Sequence, residues 1–262
     1  ALALNNLGLA YRGMGELDRA LAAFDQAAKL DATLATLFEN RGVTLGMKGD
    51  VDRAIADLDQ TLKLDPGNPR AVYNRGLAFR NRGDLDRAAA DFDQAIKLDP
   101  NNAAAFYNRG NVFYGKKDYD RAIADYNVAI KLKPDFAAAY NSRGLAYDDK
   151  RDSDGAIADF NQAIKLNPND PLVYNNRGFA YRNKGDTERA IADYQQAIKL
   201  DPNYALAFYN RGIAYYDRRD YDHASSDLNT AIKINPNYAG AFKDRGIASY
   251  DKRDYDAGFA QD

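Results

Sequence analysis

Glycine returns at positions 8, 42, 76, 110, 144, 178, 212 and 246, an unbroken step of 34 residues through a chain of 262. A period of that size predicts a solenoid of stacked supersecondary units, each buried against its neighbours, in place of one globular core. Counted from Ala1, the units begin at 1, 35, 69, 103, 137, 171, 205 and 239, and the eighth reaches its twenty-fourth position at Asp262. The chain begins without Met and stops inside a unit, as expected of a piece of a longer protein. Residues 1–262 are read as a single solenoid, and every other residue is read by its place in the unit.

The punctuation inside the unit predicts two helices. Position 16 is Glu16, Asp50, Asp84, Asp118, Asp152, Asp186, Asp220 or Asp254, and acids follow at position 18 as Asp52, Asp86, Asp120 and Asp222. A carboxylate there can accept from the free N–H groups of a helix start and meet its positive dipole end. Lys29, Lys63, Lys97, Lys131, Lys165, Lys199 and Lys233 place a cation in the last turn. Pro66, Pro100, Pro134, Pro168, Pro202 and Pro236 then stop the helix at position 32. The unit is therefore helix A over positions 1 to 14, a tight turn, helix B over 16 to 29, and a short link.

This pattern resembles the tetratricopeptide repeat, whose signature has a large residue at 4, small or apolar residues at 7 and 8, aromatics at 11 and 24, Ala at 20 and 27 and Pro at 32. The fourth unit carries it as Phe106, Gly110, Phe113, Ala122, Tyr126, Ala129 and Pro134. Departures gather near the ends: Ala32 for the proline in the first unit, Leu45, Leu58 and Thr61 in the second, Leu228 in the seventh, Ser249 and Gly258 in the eighth. The resemblance covers the whole chain and implies an all-α, right-handed superhelical solenoid of antiparallel helix pairs. Small residues at 8, 20 and 27 let backbones approach while bulky ones at 4, 11 and 24 fill the gaps, so the aromatics at 4, 11 and 24 read as core.

One departure runs through the chain. Position 7 is Arg in seven units, from Arg41 to Arg245, and position 23 is Asp57, Asp91, Asp125, Asp159, Asp193 or Asp227 in units two to seven, whereas the first unit has Leu7 with Ala23. Position 7 lies on the packed side of helix A, where an unpaired guanidinium is costly, so the pattern predicts an Arg–Asp ladder tying helix A to helix B.

Function is expected on the face that packing leaves free. At about 100° per residue, positions 2, 5, 6, 9, 12 and 13 of helix A share an arc opposite the core. Position 6 is Asn6, Asn40, Asn74, Asn108, Ser142, Asn176, Asn210 and Asp244. Position 9 is apolar in every unit except at Asn111, including Leu77, Phe179 and Ile213. Tyr73, Tyr107 and Tyr209 at position 5 and Tyr114, Tyr216 and Tyr250 at position 12 complete the stripe. In the family this face lines the concave side of the superhelix, and the amide row is similar to the asparagine ladder of the superhelical arm of O-linked N-acetylglucosamine transferase. That likeness implies a noncatalytic scaffold binding an extended peptide or disordered segment. An amide can pair with a peptide's C=O and N–H whatever its side chains, and the tyrosines and apolar residues would form selective pockets. The same row also admits a structural reading, in which each amide bonds to the adjacent repeat.

Other function classes find less support. With 36 basic and 38 acidic residues there is no net field to draw in a phosphate backbone, which disfavours nucleic acid and a pentatricopeptide-type RNA reader. There is no cysteine, no metal-ligand spacing, no phosphate loop and no cofactor motif, so neither a metal nor a cofactor is expected. The lone histidine, His223, falls on an outward slot of helix B with no nucleophile set, and no catalytic residue is assigned. No segment is apolar enough to enter a bilayer, and the cytoplasm is the default location. The carboxylate clamp by which some family members grip chaperone tails is missing: Arg70 sits at position 2 of the third unit, but its position 6 is Asn74. Asp148, Asp149, Asp217, Asp244 and Asp251 make the C-terminal half of the free face negative, against Arg12, Arg70 and Arg80 in the other half. Two alternatives stay open: self-assembly into a homo-oligomer through exposed solenoid ends, and service as the substrate-recruiting arm of an enzyme.

Overall fold

A computed structural model describes the backbone of residues 1–259 and the side chains of residues 1–253. The Asp254 side chain and the packing around Gly258, read above as parts of the eighth unit, lie outside what is described. All regular structure among the described residues is helical. The chain falls into two compact units, Ala1–Pro134 and Asp135–Asp262.

The first unit contains α1 (Leu2–Gly13), α2 (Leu17–Leu30), α3 (Ala35–Lys48), α4 (Val51–Leu64), α5 (Pro69–Asn81), α6 (Leu85–Leu98), α7 (Ala103–Gly115) and α8 (Tyr119–Leu132). The second contains α9 (Ala137–Asp149), α10 (Ser153–Leu166), α11 (Pro171–Asn183), α12 (Thr187–Leu200), α13 (Ala205–Asp217), α14 (Tyr221–Ile234) and α15 (Ala239–Phe259). Helix A and helix B alternate in each, and every helix packs on the one before and after it within its unit.

The helix starts follow the capping chemistry. Asp84 accepts from Arg87 N at 3.2 Å and Asp118 from Arg121 N at 3.2 Å, and Asp50, Asp152, Asp186 and Asp220 cap in the same way. Glu16 is the exception and makes no cap bond; its carboxylate accepts from Arg19 Nη1 at 2.5 Å. The extra methylene explains why Glu is a poorer cap than Asp. Between helices A and B the chain reverses through a left-handed residue at position 15. Gly15, Gly49, Gly83 and Gly185 take it without strain, whereas Lys117, Arg151 and Arg219 hold φ of 60°, 63° and 62°.

The eighth repeat departs from expectation here. Asp254 was expected to start a new helix, but α15 runs unbroken for 21 residues from Ala239 to Phe259. A left-handed break at Arg253 costs about 1–2 kcal/mol without glycine. Elsewhere a following 14-residue helix such as α8, α10 or α14 offsets that cost by packing.

The core is the expected alternation of small and large. Phe24, Phe92, Tyr126, Phe160 and Tyr194 at position 24 are fully buried, with Leu58 and Leu228 in the same slot. They press on the position 8 glycine: a methyl group on Gly110 would lie 2.7 Å from Tyr126 Cε1. Asn111, the one polar residue at position 9, accepts from the Tyr126 hydroxyl at 2.8 Å and satisfies it.

The Arg–Asp ladder is present and extends further than expected. Arg109 donates from Nε and Nη2 to Asp125 at 2.8 and 2.6 Å, joining α7 to α8, and from Nη1 to Asp93 of the preceding α6 at 2.6 Å. Arg41 and Arg75 make the same double contact, with Asp57 and Asp25 and with Asp91 and Asp59. In the second unit Arg177 pairs with Asp193 and Asn161, and Arg211 with Asp227. The forks of Arg41, Arg75, Arg109 and Arg177 thus tie their own helix pair and reach position 25 of the preceding repeat, while Arg211 ties its own pair.

Candidate functional site

Helices α1, α3, α5 and α7 in the first unit, and α9, α11, α13 and α15 in the second, carry the free face. Adjacent A helices meet there in a register of 35 residues, so position 6 of one repeat touches position 5 of the repeat before it. Asn40 Nδ2 donates to Asn5 Oδ1 at 3.0 Å, Asn176 Nδ2 to Asn141 Oδ1 at 3.0 Å, and Asn210 Nδ2 to Asn175 Oδ1 at 2.9 Å. Asn108 Nδ2 donates to Tyr73 Oη at 2.9 Å and to the Ala104 carbonyl at 2.8 Å, while its Oδ1 accepts from Arg80. The Tyr209 hydroxyl donates to Asp244 at 2.7 Å in the same register. A second seam joins position 12 to position 13: Asn183 to Asp148, Arg182 to Asp217 and Tyr216 to Asp251.

These seams separate the amides of the row. Asn108 is buried and fully committed to its neighbours. Asn40, Asn176 and Asn210 each spend one N–H on the preceding repeat, which holds the side chain in place, and their Oδ1 atoms accept no hydrogen bond among the described residues. Asn6 is exposed, and neither it nor Asn74 makes a side-chain hydrogen bond among the described residues. Position 5 before Asn74 is Glu39, a buried carboxylate whose Oε2 accepts from Asn68 Nδ2 at 3.2 Å and whose Oε1 lies 2.8 Å from Arg70 Nη2 but accepts no hydrogen bond among the described residues.

The Asn74 amide stands at an apolar recess of about 250 Å³ with Leu77, Val43, Met47, Leu58 and Ala78 around it. The recess lies where position 12 of the second repeat is Gly46, with no side chain, and position 24 is Leu58, where the first and the third to sixth repeats carry a ring. Leu58, a departure from the repeat signature, is the sequence signal for it, and Val43, Gly46 and Met47 stand at positions 9, 12 and 13 of the free face. Elsewhere in the first unit, Tyr107 packs on the Tyr126 ring with centroids 5.9 Å apart and Tyr114 on Tyr119 at 5.6 Å. Burial pushes the Tyr73 phenol up.

In the second unit Tyr209, Ile213 and Tyr216 come together with Arg182, Asp217, Asp244 and Ile247 around a cleft of about 350 Å³. Tyr209 is pushed up to about 12 by burial and its bond to Asp244, and Tyr216 to about 12 by its bond to Asp251. Phe179, exposed, lines a second cleft of about 430 Å³ with Asp148, Asp149 and Asn183. Burial raises Asp148, and neighbouring Asp149 adds to it. His223 is exposed, its ring stacked on Tyr215 and its Nδ1 2.9 Å from Asp220. Among the described residues no group of carboxylates and His could hold a metal ion, and no described helix is long and apolar enough to cross a membrane.

Comparison with known proteins agrees with this architecture. A tetratricopeptide repeat family model matches residues 40–103, 73–137 and 107–171, and further models of the repeat match 1–34, 160–192, 180–218 and 205–238. No curated protein sequence matches the chain. Among solved structures, a tetratricopeptide repeat protein of Parabacteroides merdae is 19% identical over 94% of this chain and 98% of its own, with a TM-score of 0.72. YrrB, described as a TPR protein with an unusual peptide-binding site, is 24% identical over 72% of this chain and 97% of its own, with a TM-score of 0.60. MamA of Desulfovibrio magneticus RS-1 is 28% identical over 65% of this chain and 96% of its own, with a TM-score of 0.61. Phased repeats, paired helices with glycine-on-ring packing, and family models spanning 40–171 and beyond together place the chain in the tetratricopeptide repeat family of protein–protein interaction scaffolds.

Proposed function

We propose that the free face of the A helices binds an extended polypeptide segment and that the protein acts without catalysis. The observation that carries this reading is Asn74: an amide with no hydrogen bond among the described residues, held beside the apolar recess of Leu77, Leu58 and Val43. An amide left free over an apolar floor can pair with a peptide C=O and N–H while the recess takes an adjacent side chain. Asn176 and Asn210 support the same role in the second unit, since one N–H of each is fixed and the Oδ1 stays open as an acceptor. Fixing the rotamer beforehand lowers the entropy lost on binding. The likeness to YrrB, described as having a peptide-binding site, points the same way. Within the row Asn108 has a structural part, because all its bonds go to this chain.

The test is selection of a random peptide library on the wild type and on Asn74→Ala, with helicity and melting compared first. Enrichment by the wild type and its loss in an equally stable variant is the expected result. Enrichment that is equal on both proteins removes Asn74 from the site, and no enrichment on either overturns the peptide reading.

A further inference from the structure

The free face of the second unit has a charge character of its own. Across its positions 2, 5, 6, 9, 12 and 13 stand Asp148, Asp149, Asp217, Asp244 and Asp251, opposed by Arg182 and Lys243. The corresponding positions of the first unit carry Arg12, Arg70 and Arg80 against Glu39. In the second unit the acids do not merely face solvent. Asp217 and Asp244 meet the rings of Tyr209 and Tyr216 and the aliphatic walls of Ile213 and Ile247 in one cleft of about 350 Å³.

We infer that this cleft between α11, α13 and α15 receives an arginine or lysine side chain of the bound polypeptide. The inference rests on the peptide-binding reading above and adds the chemistry of the residue bound. A long basic side chain has an apolar stem and a charged head, and the cleft offers both parts a partner. Ile213 and Ile247 suit the stem, the Tyr209 and Tyr216 rings that line the cleft attract the cation, and the carboxylates accept its N–H groups. The tyrosine hydroxyls already donate to Asp244 and Asp251, which orients those carboxylates and leaves further lone pairs for an incoming donor. Arg182 binds Asp217 through Nε at 2.5 Å and neutralises one acid, so Asp244 and Asp251 supply the excess charge. An acidic side chain would meet that excess at close range and be repelled.

The test uses N-acetylated, C-amidated short glycine, serine and alanine peptides with arginine, lysine, norleucine or glutamate at the central position, titrated against the full chain and followed by NMR. Arginine and lysine peptides should bind about tenfold tighter than the norleucine peptide, with shifts at Ile213 and Ile247, and the glutamate peptide weakest. Asp244→Asn keeps the acceptor for Tyr209 but removes the charge, and it should cut the basic preference to about two- to threefold. Equal binding of basic and norleucine peptides, or a preference unchanged in Asp244→Asn and in the second variant Asp251→Asn, overturns the inference while leaving the peptide-binding face intact. Absence of binding by all four peptides overturns both.

Discussion

The ladder residue Arg109 gives the sharpest test of how the repeats hold together. Replacing it with alanine removes two hydrogen bonds to Asp125 and one to Asp93. The two halves differ in environment: the Asp125 side chain is 7% exposed, whereas that of Asp93 is 49% exposed and Arg109 itself keeps 20%. Breaking a fully buried pair costs about 3–5 kcal/mol, because the remaining charge is left desolvated. The exposed half adds less than about 1 kcal/mol, and the residual exposure of the arginine lowers the buried half, so Arg109→Ala should cost roughly 2–3 kcal/mol. Burial already holds the Asp125 carboxyl above its ordinary value despite the fork, and losing Arg109 raises it further. Because a repeat array unfolds by neighbouring segments, the assay of choice is native-state hydrogen exchange. Amides of α7 and α8 should exchange roughly 30–150-fold faster, with a smaller effect in α6 through Asp93. Arg109→Met with Asp125→Leu removes both charges and should return to within about 1 kcal/mol of wild type. A single variant within about 0.5 kcal/mol of wild type, or a double variant no better than the single, would refute the reasoning.

Further outcomes follow from the same geometry. Gly110→Ala should destabilise by about 1–3 kcal/mol through the methyl driven into Tyr126, and Tyr126→Leu, the residue type at Leu58 and Leu228, should rescue part of the loss in a denaturation series. Asn108→Ala should cost about 1–2 kcal/mol by orphaning the groups around it, whereas Asn74→Ala should be neutral within about 0.5 kcal/mol by the same measurement. The cap carboxylate Asp118 is held below its ordinary value by the Arg121 side chain and then by the Arg121 N–H. A carboxyl lowered on folding contributes stability above its unfolded value and loses it as pH falls through the folded one. The melting temperature should therefore fall more steeply between pH 5 and pH 2 in the wild type than in Asp118→Asn, and equal slopes would contradict the cap assignment.

Much of this architecture was legible in the sequence because it depends on local chemistry. Position 16 acids in the first seven repeats and position 32 prolines mark helix ends, and the glycine at position 8 announces a bulky side chain against it. The pairing of Arg at 7 with Asp at 23 was readable because the two change together in the first repeat, where Leu7 accompanies Ala23. The other arm of the Arg41, Arg75 and Arg109 forks, to Asp25, Asp59 and Asp93, was hidden because it crosses to the preceding repeat. The same limit applies to the amide row. Which asparagines are spent depends on the residue 35 positions earlier, and only the three-dimensional register reveals that Asn74 makes no hydrogen bond to Glu39 whereas Tyr73 engages Asn108. At Arg253 the position 15 rule failed, since a left-handed turn needs support from a packed second helix that sequence spacing alone does not report.

The central claim, that an extended segment lies on the A-helix face beside Asn74, is tested most directly by NMR of the side-chain amides with a library-selected peptide. The Asn74 NH₂ resonances should shift on saturation together with the methyl groups of Leu77 and Val43, while Asn108, locked to Tyr73 and Arg80, moves little. Saturable binding that leaves Asn74 and Leu77 unmoved and shifts helix B residues instead would contradict the account.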